Sequence, residues 1–107
     1  MKLITAIVNK EDSKTVNYEL IRAGFAVTRL STTGGFLLAN NVTFLIGTED
    51  ERVDACIDII ASHSRQRMEM MPSTPDYGTN MTTPVPLEVT VGGATVFVTN
   101  VERFEKL

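Results

Sequence analysis

The sequence predicts an α+β domain in the ferredoxin-like order β-α-β-β-α-β, plus an extra C-terminal strand. Three observations predict it. Leu3–Val8 and Val42–Ile46 are near-continuous apolar runs with β-branched residues, as strands buried on both faces are. Two intervening segments carry apolar residues at helical spacing. Toward the C-terminus, Leu87–Val91 and Ala94–Val98 flank a Gly92-Gly93 pair, the pattern of a tight hairpin.

Each element follows in order. After the first strand, Glu11 and Asp12 supply the acid that suits a helix N-terminus, and Asp12 or Ser13 can cap it. Val16, Leu20 and Ala23 share one helical face with Ile21 beside them, and Gly24 stops the helix, so it spans about Ser13 to Ala23. Phe25–Leu30 is the second strand, and Gly34-Gly35 breaks the Thr-rich segment behind it. Val42–Ile46 is the third strand, closed by Gly47. Asp50 reads as the N-cap of a second helix, where Val53, Cys56, Ile57 and Ile60 take i, i+3, i+4, i+7 spacing as far as about Ser64. Between Gln66 and Pro86 the periodicity vanishes under Pro72, Pro75, Pro84 and Pro86, which predicts a long connection of the kind that is functional or mobile. The tail from Val101 to Leu107 can form a short helical turn.

A chain of 107 residues with 43% hydrophobic and 21% charged residues is expected to be one globular domain, 1–107. It has a short loop at about 31–41 and a long one at about 66–86. A net charge of −3 disfavours nucleic-acid partners, which require many phosphates to be neutralised. A small anion remains compatible, because backbone dipoles can hold it locally. The N-terminal apolar run is too short for a signal peptide or a membrane span, and Cys56 has no second cysteine to pair with. Both point to a cytoplasmic protein without a membrane partner. Two helices on one face of the sheet leave the other bare, and strands apolar on both sides then call for self-association in a closed ring.

Two separated motifs carry a resemblance. One is Thr32-Thr33-Gly34-Gly35-Phe36-Leu37 with Asn41 and Thr43-Phe44-Leu45-Ile46-Gly47; the other is Glu88-Val89 followed by Val91-Gly92-Gly93-Ala94-Thr95-Val96-Phe97-Val98. Together they resemble the cyclic-di-AMP receptor family of PII-like signal transduction proteins, over essentially the whole chain. The resemblance implies a homotrimer of ferredoxin-like subunits that binds cyclic di-AMP at the subunit interfaces and relays it to a target protein of unknown identity. It implies no cofactor, no metal and no enzymatic activity. By similarity the ligand contacts are Thr28, Gly35, Phe36, Leu37, Asn41, Gly47 and Phe97.

The chemistry of the ligand suits these residue types. Adenine asks for flat apolar walls, which Phe36, Leu37 and Phe97 would supply, and for an edge contact from Asn41. Thr28 would hydrogen-bond a phosphate or base, a glycine turn can cradle a phosphodiester, and Gly47 would permit close approach. Gly24, Ala26 and Lys106 stand where the family usually carries Asn, Arg and Gln. Losing that arginine removes a charge-assisted contact of ~1.5–3 kcal/mol. The alternative is therefore a PII-like trimeric protein-interaction module with a weakened or lost nucleotide site. Elsewhere, Cys56 sits on the apolar helix stripe as an inert thiol, His63 has no sequence-local partner, and Glu49-Asp50-Glu51 suits a helix start better than a metal. No P-loop, HExxH motif or nucleophile elbow occurs.

Overall fold

The computed structural model describes residues 1–30, 40–72 and 86–107. Within them the chain forms β1 (Lys2–Asn9), α1 (Lys10–Arg22), β2 (Ala26–Leu30), β3 (Asn41–Thr48), α2 (Val53–His63), β4 (Arg67–Pro72), β5 (Pro86–Val91) and β6 (Ala94–Asn100). A four-stranded antiparallel sheet runs in the order β2-β3-β1-β6. Together with α1 and α2 this is compatible with a small ferredoxin-like domain.

The period of two along each strand decides what is buried. Ile4, Ala6 and Val8 of β1 and Val42, Phe44 and Ile46 of β3 point to one face. There they meet Val16 and Leu20 of α1 and Cys56 and Ile60 of α2 to form the core. Phe44, Ile4, Leu20 and Ile46 are fully enclosed, each contributing about 1.5–3 kcal/mol of transfer free energy. The alternate residues Leu3, Thr5 and Ile7 are only half-buried on the opposite face. Burial of β1 and β3 on both faces is thus met on one face within a single chain.

Several sequence expectations change. Asn9, rather than Asp12 or Ser13, caps α1: its side-chain oxygen accepts the Glu11 N–H at 2.9 Å. Ile21 is more than half exposed, since α1 turns only its Val16–Leu20 stripe inward. Asp50 begins a 3-10 turn, Asp50–Arg52, ahead of α2, and its carboxylate pairs with the amino group of Met1 at 3.1 Å instead of capping the helix. The tail after Asn100 forms no helical turn.

The largest departure concerns the segment between α2 and β6. Residues 67–72, read from sequence as loop, are strand β4, which pairs with β5 as a separate two-stranded ribbon. Arg67-Met68-Glu69-Met70 holds no β-branched residue, so the strand draws its order from partners such as Thr90 and Val89 rather than from its own propensity. The Thr90 hydroxyl donates to Met68 Sδ at 3.1 Å. The fourth strand of the main sheet is accordingly β6, and the additional strands lie between α2 and β6, not at the C-terminus. Nor is Gly92-Gly93 a hairpin tip between β5 and β6. Both glycines have positive φ, 82° and 85°, and turn the chain from the ribbon into the sheet against the exit of α2. Gly93 N–H donates to Ser64 O at 2.5 Å, and a Cβ on Gly92 would stand 2.5 Å from Arg65 O.

Arg67 fixes the root of this ribbon. Its guanidinium forms a two-pronged contact with buried Asp12 at 3.1 and 3.3 Å, and lies 3.6 Å from Glu11 and 3.4 Å from Glu69. The hydrogen bond to Asp12 is the main reason the guanidinium's proton is held more firmly than usual. The acid of the first helical turn thus fastens the ribbon in place of capping the helix.

Candidate ligand site on the uncovered sheet face

Strand register gathers the expected contact residues on the face opposite the helices. Thr28 of β2 pairs with Leu45 of β3, Leu45 with Thr5 of β1, and Thr5 with Phe97 of β6. Thr28 and Phe97 therefore end one continuous cross-strand row. In the adjacent row Ala26 pairs with Gly47, Gly47 with Leu3, and Leu3 with Thr99. Phe97 is 55% exposed, so the aromatic lies on the open face at the β6 edge and not in the core.

Two concavities open at the ends of this face. The first, about 370 Å³, is lined by Met1, Leu3, Ala26, Thr28, Leu45, Gly47 and, from the tail, Val101 and Phe104. A Cβ on Gly47 would meet nothing within 4 Å, so its hydrogen faces open space in this hollow. No charged side chain lines it among the described residues, and the Met1 ammonium is held by Asp50. The second, about 380 Å³, brings Asn41 beside Ile7, Gln66, Gly92, Gly93 and Thr95. Lys10 N–H donates to Asn40 O at 2.6 Å, which anchors the residue before Asn41 at the start of α1.

The structure thus brings Thr28 and Gly47 together and sets Asn41 apart. Asn41 and Gly47 lie on the same strand six residues from one another, roughly 20 Å at strand rise. Gly35, Phe36 and Leu37 fall outside the described residues. Sequence reasoning missed Leu3, Leu45 and Phe104 as lining. The alternation of β1 and β3 carried the signal for the first two, whereas nothing in the local pattern ties the tail to this face.

The positions that depart from the family pattern also find surroundings. Ala26 is part of the floor of the first hollow. Gly24 lies at the exit of α1, where Arg52 donates to Ala23 O at 2.7 Å and stacks 4.1 Å over the Phe25 ring. Away from the face, Cys56 is fully buried, and desolvation pushes its thiol up to about 11 despite the opposing pull of Arg52. Among the described residues no group of three or more His, Cys, Asp or Glu side chains is placed to hold a metal, and no helix is long and apolar enough to cross a membrane.

Comparison with known proteins agrees with this architecture. The sequence model of the family described as "Cyclic-di-AMP receptor" matches residues 1–107. Among solved structures, the chain is similar to one described as a functionally unknown protein from Pediococcus pentosaceus ATCC 25745. The two are 43% identical, the match covers 99% of this chain and 96% of that one, and the TM-score is 0.75.

Proposed function

Because the chain belongs to the cyclic-di-AMP receptor family, we propose that it is a PII-like signal transduction protein, a cytoplasmic homotrimer that binds the nucleotide between its subunits. Its occupancy is relayed to a target protein through loop ordering.

The observation that carries this reading is the division of the expected contacts between the two ends of one sheet face. Thr28 and Gly47 line one hollow and Asn41 the other, about 20 Å apart. A single adenine cannot touch both. Head-to-tail repetition around a ring brings the Asn41 end of one copy to the Gly47 end of the next, which completes a site at each seam. The apolar side chains of this face, Leu3 and Leu45 on the central strands and Phe97 on the β6 edge, support the same arrangement, since exposed apolar surface of this kind marks contact with a partner.

Within the site Thr28 hydrogen-bonds the ligand, Gly47 leaves room for its approach, and Asn41 reads an adenine edge. Phe97 is an apolar wall, and Gly35, Phe36 and Leu37 are the remaining contacts. Binding alone is the event at this site, in keeping with a receptor family. The relay draws its energy from unequal affinity of the ligand for two states of the loops, because a ligand indifferent to them shifts nothing.

Light scattering together with calorimetry tests the reading. The expected result is a trimer that binds cyclic di-AMP at one molecule per subunit. A well-folded monomer that still binds the nucleotide refutes the shared site, and a trimer giving no heat with cyclic di-AMP refutes the ligand. Unchanged hydrogen exchange across residues 66–86 on saturation refutes the relay.

A further inference from the structure

The C-terminal tail holds an aromatic side chain that the fold places over a hollow it does not fill. β6 is the edge strand farthest from β2 in the sheet. Yet Val101 and Phe104, which follow β6, line the same concavity as Ala26 and Thr28 of β2. The tail therefore turns back across the uncovered face, after Val101 N–H donates to Met1 O at 3.2 Å. Arg103 and Glu105 satisfy each other, Nε to Oε1 at 3.0 Å, and leave Phe104 between them to line the hollow.

The chemistry of that hollow is selective. Leu3, Leu45 and Ala26 give it an apolar floor, Gly47 contributes no side chain, and Thr28 places one hydroxyl at the wall. The cation among its lining residues, the Met1 ammonium, is already engaged by Asp50 at 3.1 Å, and among the described residues no lining side chain is charged to meet a phosphodiester. A neutral, flat heterocycle with hydrogen-bonding edges suits them. Phe104 is 63% exposed, so its ring is open to stack on a flat group seated in the hollow.

We propose that Phe104 is a ligand-binding residue: its ring stacks on one adenine of cyclic di-AMP, against the floor of Leu3, Leu45 and Ala26, so that the C-terminal tail is the lid of the base pocket. This inference rests on the receptor reading above. It assigns one base to the hollow and leaves the phosphodiesters outside it. Where the family's arginine is replaced by Ala26, the pocket holds the base through apolar contact and stacking instead of charge.

Calorimetry with cyclic di-AMP on the native protein, Phe104→Ala and Phe104→Trp provides the test. Base–aromatic stacking predicts binding about 5- to 150-fold weaker in Phe104→Ala. The chain has no tryptophan, so Phe104→Trp carries a sole indole, and its fluorescence is expected to be quenched saturably with near-native affinity. Native affinity in Phe104→Ala, or an unquenched indole on a variant that binds, overturns the lid and leaves the receptor reading intact. A native protein that gives no heat removes the receptor reading and the lid with it. Both variants are expected to melt within a few degrees of the native protein, because the ring is exposed; a larger drop makes Phe104 a packing residue and overturns its role as lid.

Discussion

Replacing Gly47 by valine separates the needs of the fold from those of the ligand. Gly47 occupies the seventh position of an eight-residue strand, with a φ outside the positive region, so a branched side chain fits its backbone. A Cβ there meets no atom within 4 Å. Removing the glycine's unfolded-state freedom at a strain-free site stabilises by about 0.4–1 kcal/mol, which in a domain of this size raises Tm by roughly 2–8 °C. The same side chain projects into the hollow of about 370 Å³ between Leu3, Ala26 and Leu45. The hollow is open until a base is seated there; overpacking against that base costs about 1–3 kcal/mol, so cyclic di-AMP is expected to bind about 5- to 150-fold more weakly. Thermal melting and calorimetry on one preparation read both quantities, with light scattering to verify that assembly is unaltered. Undiminished binding by Gly47→Val would show that the hollow is not where the base lies. A variant that melts well below the native protein would show that position 47 is packed and not open.

Further outcomes follow from the core and the ribbon. The Cys56 thiol is held at about 11, above its ordinary value near 9, by burial. Between those pH values the unfolded chain has released the proton while the native chain still binds it, so stability is full below pH 9 and falls as pH rises toward 11. The loss is on the order of 2–3 kcal/mol. Urea melts of native protein and Cys56→Ala at pH 8 and pH 10.5 check it, and an equal slope in both proteins removes Cys56 as the cause. Arg67→Ala releases the ribbon from Asp12 and is expected to speed amide exchange in β4 and β5 by about tenfold or more, with α1 and β1 little changed. Native exchange rates in that variant would mean that the Gly93 to Ser64 hydrogen bond alone holds the ribbon's root.

Elements with a strong local signal were legible in the amino-acid order alone. The near-continuous apolar runs Leu3–Val8 and Val42–Ile46 lie in strands and the helical spacing of Val53, Cys56 and Ile60 lies in a helix, although within one chain the strands bury one face and not two. The two glycine motifs and their spacing were enough to mark the receptor family. Tertiary structure decided everything that depends on pairing between distant segments. β4 has little propensity of its own and exists through β5; β6, and not β5, joins β1, because Gly92 and Gly93 are pressed against Ser64 and Arg65 instead of closing a hairpin. The hollow that joins Ala26 and Gly47 to Phe104 arises only when the tail crosses the sheet. Residues of β1, β2 and β3 meet there by register, the tail joins them by crossing the sheet, and register is a property of paired strands that no stretch of sequence contains alone.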